Sequence, residues 1–569
     1  MCGIIGITAK TDALSAIVSG LKALEYRGYD SAGVAFFGKN GLRIVKAVGR
    51  VSALEEKLGE ETTTCGIGHT RWATHGEVCE KNCHPHVSFG GACMLVHNGV
   101  IENYAELKKY LLEKGVTCST DTDSEIIAHL YELLCDGDPV TTLGRVANAL
   151  EGSYAIALLS ALHKGEIFAV RRSSPLVIGR RDNASLLASD VTALPNAELY
   201  YLEEGRVARL WAEGVDVVGK RFHSNAIQSL SAPDKNGYDT FMLKEIYEQP
   251  QAIARTIADI PKKGRIKGEA LLLGCGSSYH AGLACIPLVE KCTCRHAEAL
   301  LASEFICSHA LPANGQTAIL LSQSGETADT LSACAEAKKR GYKTVGITNV
   351  ETSSLARAVD ENRFTKAGAE IAVATTKGFT TQIVALAGLF VKDEESLRAL
   401  HSLPTLAEKV VRLSEKTAEL VQIFLSAKCV FFIGRKSDYG VALEGALKFK
   451  EITYIPSIGL ASGELKHGSI SLIEKGSPVV VVCADGKLIA KTLLSVATVK
   501  ARGGVTVAVT CFEEVATACD YALRLPALPA DLSPAITVIP LQMLSYYVAT
   551  ALRRDVDKPR NLAKSVTVE

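Results

Sequence analysis

Residues 270–278 read ALLLGCGSS, a run of apolar residues that ends in a turn rich in glycine and serine. Unbroken apolar runs bounded by such turns are typical of strands that are buried on both faces of a parallel sheet. The pattern returns at residues 318–326 (AILLSQSGE), and a further strand is predicted at residues 344–348. Helical segments separate these runs. The series therefore predicts a doubly wound α/β sheet.

The same series occurs a second time in the chain. Residues 430–438 (VFFIGRKSD), 479–486 (VVVVCADG) and 505–509 (VTVAV) follow one another at intervals close to those of the first series. A repeated strand–turn–helix order indicates two tandem copies of one architecture. We assign the copies to residues 241–400 and 401–569.

The part of the chain before residue 218 has a different pattern. Short alternating strands are predicted at residues 3–7, 153–159 and 186–189, with a few helices between them. This mixture predicts an α+β layer domain at residues 2–218. The polar stretch at 219–240 is interpreted as a linker.

Charge and length limit the class of partner. The chain has 569 residues, which suggests about three to four domains. Lysine plus arginine equal aspartate plus glutamate at 62 each, so nothing favours nucleic acid or an anionic membrane. We expect small-molecule partners. We also expect neither a signal peptide nor a membrane span, because charges interrupt the first residues and Pro540 interrupts the longest apolar run.

Cysteine usage favours a reducing, cytoplasmic location. The 17 cysteines are scattered and form no paired Cys-x-x-Cys units. Cys79, Cys83, His84 and His86 have metal-ligand side chains, but Pro85 and the lack of a second half favour a loop. We expect no metal site.

Cys2 is a candidate nucleophile. Removal of Met1 would give this residue a free α-amine beside its thiol, and an α-amine has a pKa of about 7.7 to 8, low enough to act as a base. The alternative is a small apolar residue at the start of a buried strand.

Other residues of the first domain suit glutamine hydrolysis. Arg71 can hold a carboxylate with two hydrogen bonds, and Asp123 can pair with an ammonium group. The Asn98 amide and the Gly99 N–H can stabilise an oxyanion, as acyl transfer requires. With Cys2, they form the set needed to hydrolyse glutamine.

The second half contains a candidate phosphate site. Residues 322–327 (SQSGET) follow a predicted strand and open a helix, where backbone N–H groups and hydroxyls attract an anion. An ordinary helix N-cap is the alternative. Ser277 and Ser278 occupy the parallel position after the first strand and favour a phosphate site.

Acid–base groups suited to aldose–ketose conversion are also present. Glu444, Lys448 and Glu451 are spaced to share one helix face, and His467 lies in a glycine-rich loop. A solvated charged face is the alternative. Lys564 lies in a C-terminal segment that we expect to dock, and it can form a Schiff base unless it remains a solvated tail lysine.

These motifs give the chain a resemblance to a known family over nearly its whole length. It closely resembles the glutamine–fructose-6-phosphate aminotransferases (isomerising), also called glucosamine-6-phosphate synthases. The motifs that carry the resemblance are residues 1–4, 26–33, 71–76, 97–99, 244–250, 322–327, 464–468 and 559–569.

The resemblance implies a fold and an activity. It implies a class II, N-terminal-nucleophile glutaminase domain with four αββα layers, followed by two sugar-isomerase subdomains, with no metal and no redox cofactor. Glutamine and fructose 6-phosphate would give glucosamine 6-phosphate and glutamate, the first step of hexosamine synthesis. Ammonia would pass through an internal channel with Trp72 as its gate. A cytoplasmic homodimer is expected, with His467 acting at the neighbouring subunit's site.

The resemblance also assigns roles to individual residues. Catalysis would rest on Cys2, Asn98, Gly99, Glu451, His467 and Lys564. Glutamine would be held by Arg71, Thr74, His75 and Asp123. The sugar phosphate would be bound by Ser277, Ser278, Ser322, Gln323, Ser324, Thr327 and the backbone of Val373, and Glu444 and Lys448 would assist.

Two positions depart from the family pattern. Ser277 replaces a threonine and keeps the hydroxyl, whereas Ser469 replaces a proline and removes a restraint on φ near His467. The glutaminase half is also shorter than is typical of the family.

Two other functions fit parts of the sequence. Another class II amidotransferase would share the first domain, but the second half has neither a phosphoribosyltransferase loop nor an ATP-pyrophosphate motif. A phosphosugar-sensing protein would share the second half, but it would not need Glu451, His467, Lys564 and a complete glutaminase.

Overall fold

The computed structural model describes residues 2–25, 28–38, 41–72, 76–217, 220–221, 234–260, 266, 268–309, 313 and 315–566. The chain forms two compact units, with a boundary between residues 233 and 234, and the second unit spans Asp234–Lys564. This boundary falls inside the segment assigned to the linker, of which residues 219 and 222–233 lie outside the described part.

The helices of the described residues are α1 (Leu14–Leu24), α2 (Val51–Leu58), α3 (Tyr104–Glu113), α4 (Ser124–Leu134), α5 (Pro139–Ala149), α6 (Phe241–Tyr247), α7 (Gln249–Ala258), α8 (Ser277–Thr293), α9 (Ala302–Cys307), α10 (Ala328–Lys339), α11 (Ser354–Ala358), α12 (Lys377–Phe390), α13 (Glu394–Val411), α14 (Ser414–Glu419), α15 (Ser437–Thr453), α16 (Ile489–Lys500), α17 (Glu513–Ala518) and α18 (Pro534–Ala551).

The strands are β1 (Gly3–Ala9), β2 (Ser31–Gly38), β3 (Gly41–Val48), β4 (Cys65–Arg71), β5 (His86–Val87), β6 (Cys93–Ile101), β7 (Gly152–Ser160), β8 (Ile167–Arg172), β9 (Val177–Arg181), β10 (Ala184–Ala188), β11 (Glu198–Tyr201), β12 (Ala208–Trp211), β13 (Gly214–Val217), β14 (Lys220–Arg221), β15 (Ala270–Gly274), β16 (Ala297–Leu301), β17 (Thr317–Leu321), β18 (Lys343–Thr348), β19 (Glu361–Phe364), β20 (Val430–Gly434), β21 (Ser457–Ala461), β22 (Pro478–Cys483), β23 (Val505–Thr510) and β24 (Tyr521–Arg524).

The first unit contains two antiparallel sheets of seven strands. Their orders are β11-β9-β10-β1-β4-β2-β3 and β14-β13-β12-β8-β7-β6-β5. Side chains such as Ile4, Ile67 and Val96 are buried in one cluster between the sheets, while α1 and α2 cover the outer face of the first sheet and α4 and α5 that of the second. Because each central strand is covered on both sides, β1 and β4 are buried along almost their whole length. The predicted αββα domain is confirmed.

The second unit contains two parallel sheets of five strands. Their orders are β16-β15-β17-β18-β19 and β21-β20-β22-β23-β24, so the two repeats have the same topology. The apolar runs that were predicted as strands form β15, β17 and β18 in one repeat and β20, β22 and β23 in the other. The prediction of two doubly wound subdomains is confirmed.

A shared helical layer joins the two repeats. Helices α8, α12, α15 and α18 contribute to one apolar cluster that also contains Leu272 of β15 and Phe432 of β20. All residues of α12 are buried, which explains why apolar side chains occur on every side of this helix. A Cβ at Gly440 of α15 would lie 2.7 Å from the backbone nitrogen of Ala284 in α8, so this glycine allows the two helices to approach closely.

Among the helices that the structure describes, none combines the length and the apolar character needed to span a bilayer.

Candidate active site

Cys2 lies at the start of β1, against the end of β4. The backbone N–H of Trp72 donates to the Cys2 sulfur over 3.2 Å, and the thiol is 3.5 Å from the Trp72 carbonyl oxygen. Burial raises the pKa of the Cys2 thiol above its ordinary value. The hydrogen bond from Trp72 acts in the opposite direction but does not cancel this rise. A raised pKa means that this thiol needs a base before it can attack a carbonyl group.

Asn98 of β6 lies beside Cys2 and has a fixed orientation. Its Nδ2 donates to the Cys2 carbonyl oxygen over 3.1 Å, and its Oδ1 is 3.1 Å from Nε2 of His69. His69 is fully buried, and burial lowers its pKa to about 3, so the ring is neutral. With Nε2 protonated, His69 donates to Oδ1, and the amide NH₂ group of Asn98 faces Cys2. His69 is therefore a positioning residue to which the sequence reasoning gave no role.

Gly99 continues β6 with φ of 132°, a region that residues with a side chain rarely adopt. A Cβ at this position would lie 1.9 Å from the carbonyl oxygen of Ser153 in the neighbouring strand. Glycine is therefore needed for the strand to follow this path beside Cys2.

Arg71 and Asp123 stabilise the backbone around this site. Arg71 ends β4 and donates to the carbonyl oxygens of Gly76 and Glu77 over 3.1 and 3.3 Å. Asp123 accepts the N–H of Ile101 in β6 over 2.9 Å. Both are almost fully buried. Thr74 and His75, which were also predicted to bind glutamine, lie outside the described residues.

The cysteine and histidine group near residue 84 packs inside the protein. The Cys83 thiol is 3.2 Å from the carbonyl oxygen of Cys79, and the His84 ring stacks on His69 with 4.0 Å between centroids. His86 packs edge-on against His84. Burial lowers the pKa of both rings well below the usual value, so they are neutral. This packing fixes the His69 ring, which in turn orients Asn98.

In the second unit, the loop after β17 has an ordered set of hydroxyls. The Ser322 hydroxyl accepts the N–H of Gly325 and contacts the Thr327 hydroxyl, both at 3.0 Å. Ser324 accepts the N–H of Glu326, and the Gln323 carbonyl accepts the N–H of Asn349. Thr327 precedes α10, but its side chain makes no capping bond to a described residue. An anion could therefore still bind the first N–H groups of this helix.

Ser277 and Ser278, the first residues of α8, connect this region to two other helices. The Ser277 hydroxyl donates to Oε1 of Glu444 in α15 over 2.8 Å. Ser278 accepts from the side-chain amide of Gln382 in α12 over 3.0 Å. Gln382 was not predicted from the sequence, because its helix shows no polar pattern.

Glu444, Lys448 and Glu451 form a row on α15 in which Glu444 and Lys448 are buried and Glu451 is mostly buried, so the alternative of a solvated face is wrong. Lys448 Nζ lies 3.6 Å from Glu444 and 2.5 Å from Glu451. His280 Nδ1 is 2.9 Å from the other Glu444 oxygen. Burial raises the pKa of Glu451, and the Lys448 ammonium opposes this rise only in part. A carboxyl group with a raised pKa is suited to proton transfer near neutral pH.

Lys564 docks as predicted. Its Nζ donates to Oε2 of Glu370 over 2.6 Å and to the carbonyl oxygen of Ala372 over 2.9 Å. The next residue, Val373, donates its N–H to the carbonyl oxygen of Asp557 over 2.9 Å. The C-terminal segment is thus held at Ala372 and at Val373.

Glu370 is a partner that the sequence did not reveal. Its carboxylate also accepts from the Thr375 hydroxyl and from the N–H groups of Thr376 and Gly378 over 2.6 to 3.0 Å. Burial acts to raise its pKa, but the Lys564 ammonium and these hydrogen bonds outweigh burial and hold the pKa at about 2. Glu370 is therefore a charged anchor for Lys564.

His467 is not brought to this cluster. It is exposed at the end of a one-turn helix, Glu464–Lys466, and no described side chain accepts or donates a hydrogen bond to its ring. Ser469 begins the next short turn, Ser469–Leu472, so the turn forms without the proline of the family pattern.

Comparisons with known proteins agree with this architecture. Residues 69–196 match a glutamine amidotransferase domain, and residues 265–392 and 423–552 each match an SIS domain. The chain is 41% identical to glutamine–fructose-6-phosphate aminotransferase (isomerizing) of Clostridium tetani and 41% identical to the protein of that name in Symbiobacterium thermophilum, with 100% of each chain covered in both cases.

A solved structure matches the second half. It is the C-terminal domain of glucosamine-fructose-6-phosphate aminotransferase from Francisella tularensis, with 35% identity and a TM-score of 0.54 over 57% of this chain and 100% of that one. The amidotransferase domain, the paired SIS domains and the full-length similarity together show that the chain belongs to the glutamine–fructose-6-phosphate aminotransferase (isomerizing) family.

Proposed function

We propose that this protein transfers the amide nitrogen of glutamine to fructose 6-phosphate and forms glucosamine 6-phosphate and glutamate. The observation that carries the proposal is the position of Cys2. Its sulfur accepts a hydrogen bond from the Trp72 N–H, and its carbonyl oxygen accepts one from the Asn98 amide. This nucleophile occurs in a chain that also contains a pair of SIS domains.

In the glutamine half-reaction, the Cys2 sulfur attacks the side-chain carbonyl carbon of glutamine. After removal of Met1, the α-amine of Cys2 takes the thiol proton, which a thiol of raised pKa requires. The amide of Asn98 and the N–H of Gly99 hold the oxyanion, the carbon–nitrogen bond breaks, and ammonia leaves. Water then hydrolyses the thioester to glutamate. Arg71, Asp123, Thr74 and His75 hold the α-carboxylate and α-amine of the substrate.

In the sugar half-reaction, the loop at residues 322–327, Ser277, Ser278 and the backbone of Val373 hold the phosphosugar. The Lys564 ammonium first gives a proton to solvent, and its free amine then adds to C2 of the open-chain ketose with loss of water. Ammonia then displaces the lysine. Glu451 removes a proton from C1 and returns it to C2, which gives the 2-amino aldose. Glu444 and Lys448 hold Glu451 from the same helix, and His467 assists ring opening.

Ammonia links the two half-reactions. We propose that it passes from Cys2 to the sugar without release, with Trp72 as the gate. Unlabelled ammonium in the medium should then fail to dilute an amide-derived label in the sugar, whereas full dilution would contradict direct transfer.

The activity is tested by the substitution Cys2→Ala. Because the two half-reactions use different residues, the variant should lose glutamine hydrolysis and still isomerise the sugar phosphate. Loss of both activities in a variant with the circular dichroism spectrum of the parent would contradict the two-site division. A phosphosugar sensor would make no hexosamine in a glutamine-dependent assay. Other amidotransferases are excluded when product forms with fructose 6-phosphate and not when other sugar phosphates replace it.

We propose further that the protein is a homodimer in which His467 acts at the neighbouring subunit's sugar site. The exposure of His467, without a hydrogen-bond partner in the described part of its own chain, supports this arrangement. Mixing inactive His467→Ala and Lys564→Ala variants under subunit exchange should restore part of the activity, because one hybrid site has both residues. A mixture that stays inactive although hybrids form would contradict it.

We also propose a cytoplasmic location. All 17 cysteines are free, as is common in reducing compartments. Fractionation of cells should find the protein with other cytoplasmic enzymes, and recovery from an oxidising compartment would contradict this location.

A further inference from the structure

The second SIS repeat contains a cavity of about 290 Å³ that the proposed reaction does not use. It lies at the carboxyl ends of the neighbouring strands β20 and β22. The chain leaves β20 toward β21 on one side and returns to β22 on the other, so the cavity is at the topological switch point of the sheet. Ligands of open α/β sheets bind at such points. Its lining includes Arg435, Lys436, Ser437, Asp438, Asp485 and Lys487.

This position corresponds to the sugar-phosphate region of the first repeat. There, Ser277 follows β15 and the loop at 322–327 follows β17, whereas here Ser437 follows β20 and Asp485 follows β22. The residue before each helix has the same backbone conformation, with φ and ψ of 52° and −124° at Gly276 and of 50° and −122° at Lys436. The turn that begins a ligand-binding helix is therefore preserved in the second copy.

Lys436 occupies a conformation that glycine adopts in the first repeat. A residue with a Cβ is strained at this φ, and such strain persists where the surrounding structure enforces it, often at ligand sites. The strained turn places a lysine, rather than a glycine, at the edge of the cavity.

The cavity has cations that other side chains do not neutralise. Lys436 and Lys487 have no carboxylate within 4 Å among the described residues, while Lys291 pairs with Asp531. Arg435 adds a guanidinium whose Nε is buried without a hydrogen-bond partner in the described part of the chain. The N-terminus of α15, a helix of 17 residues, opens at the same place and has no side-chain cap. These groups favour an anion.

Asp438 indicates that the ligand also has a hydroxyl group. Its side chain is 3% exposed, its Oδ2 accepts the N–H of Ala484 over 3.0 Å, and its Oδ1 has no partner among the described residues. A buried carboxyl oxygen that lines a cavity and lacks a donor is satisfied when a bound molecule supplies one. Burial raises the pKa of Asp438 to about 7, so its repulsion of an anion is weakened.

We propose that the second repeat has its own binding site for a phosphorylated sugar or a similar organic phosphate with hydroxyl groups. The phosphate binds the start of α15 with Arg435 and Lys436, and a hydroxyl donates to Asp438. The cavity volume is close to the lower end of the range for small-molecule sites, about 300 Å³. This site is separate from the residues assigned to the sugar substrate, and it does not depend on the amination reaction.

Equilibrium dialysis of the full-length protein measures how many equivalents of glucose 6-phosphate bind per chain. Lys436→Gly removes the ammonium and restores the glycine of the first repeat, so it should bind one equivalent less per chain than the parent protein. The KM for fructose 6-phosphate should stay within twofold. Its Tm without ligand should rise, because the backbone strain is relieved, and this rise shows that the variant is folded.

Lys366→Gly is the matched control, because Lys366 also has a positive φ, 47°, but does not line the cavity. It should bind as many equivalents as the parent protein. Equal numbers of equivalents in the parent and in Lys436→Gly would overturn the proposal, whether or not the first repeat binds the ligand.

The hydroxyl contact is tested with inorganic phosphate and with Asp438→Asn. In the parent protein, inorganic phosphate should compete at this site at least tenfold more weakly than glucose 6-phosphate. Equal competition by the two ligands would overturn the contact with Asp438. An Asp438→Asn variant that keeps the full preference would also overturn it.

Discussion

Lys564 Nζ lies 2.6 Å from Oε2 of Glu370, and both side chains are almost completely buried. Glu370 precedes Val373 by three residues, and Lys564 lies in the C-terminal segment, so this ion pair joins parts of the chain that are 194 residues apart. The pair therefore fixes the amine that we assign to the Schiff base beside the backbone that we assign to sugar binding.

Glu370→Gln should strongly destabilise the protein. The substitution leaves a buried ammonium without its counter-charge, which costs about 3–5 kcal/mol of unfolding free energy. Urea unfolding at pH 7 measures the effect. Glu361→Gln is the matched control, because Glu361 pairs with Lys343 at a partly exposed site and should cost no more than about 1 kcal/mol. Equal effects of the two substitutions would contradict a strong buried pair.

The contribution of Glu370 should depend on pH. Its pKa is about 2 in the folded protein against an ordinary value of 4.5, so the folded state favours the ionised form. The stabilisation is therefore fully present above pH 4.5 and is lost as the pH falls toward 2. The difference in unfolding free energy between the parent protein and Glu370→Gln should shrink between pH 5 and pH 3. A difference that grows over this interval would contradict the low pKa.

Lys564→Ala should stop glucosamine 6-phosphate formation and leave glutamine hydrolysis intact. The reason is that only the sugar half-reaction uses the Lys564 amine. A coupled glutamate assay and a hexosamine assay on the same sample measure both activities, with Lys558→Ala as a control within the same segment. Hexosamine output at the parental rate would remove Lys564 from the mechanism.

Asn98→Ala should lower kcat for glutamine hydrolysis about 10²- to 10³-fold, because the loss of one oxyanion donor has an effect of this size. KM for glutamine should change much less, since the oxyanion exists only in the transition state. Steady-state kinetics separate the two parameters. A variant in which KM rises while kcat is unchanged would show that Asn98 binds substrate and does not stabilise the oxyanion.

Ser277→Ala and Ser277→Thr should behave differently. Alanine removes the hydroxyl that donates to the fully buried Glu444, which costs about 1–3 kcal/mol for the group left without that donor, whereas threonine keeps it. In the alanine variant only, the unfolding free energy should fall and the KM for fructose 6-phosphate should rise. Equal behaviour of the two variants would mean that the hydroxyl has no part in holding α15 against α8.

The central strands were predictable from the sequence, and the edge strands were not. The runs at β15, β20 and β22 are apolar because helices cover both of their faces. β16 and β19 lie at the edges of a sheet and are only partly buried, so their sequences lack this signal. An unbroken apolar run in the sequence thus indicates a strand that is buried on both faces. Edge strands are less buried, so they show this run less clearly.

The candidate sites were predictable where the chemistry depends on local spacing. Glu444, Lys448 and Glu451 share a helix face because of their intervals, but only the packing of α15 against α8 and α18 buries Glu444 and Lys448. Glu370, Gln382 and His69 were missed. Each is brought to its partner by distant parts of the chain, and no local pattern records such contacts.

The central claim is that nitrogen released at Cys2 reaches the sugar held near Lys564. Its most direct test uses glutamine labelled with ¹⁵N in the side-chain amide, together with unlabelled fructose 6-phosphate, followed by mass and NMR analysis of the sugar. The account predicts ¹⁵N bonded to C2 of glucosamine 6-phosphate in the parent protein and none with Cys2→Ala. A labelled ammonia pool beside an unlabelled hexose phosphate in the parent protein would contradict it.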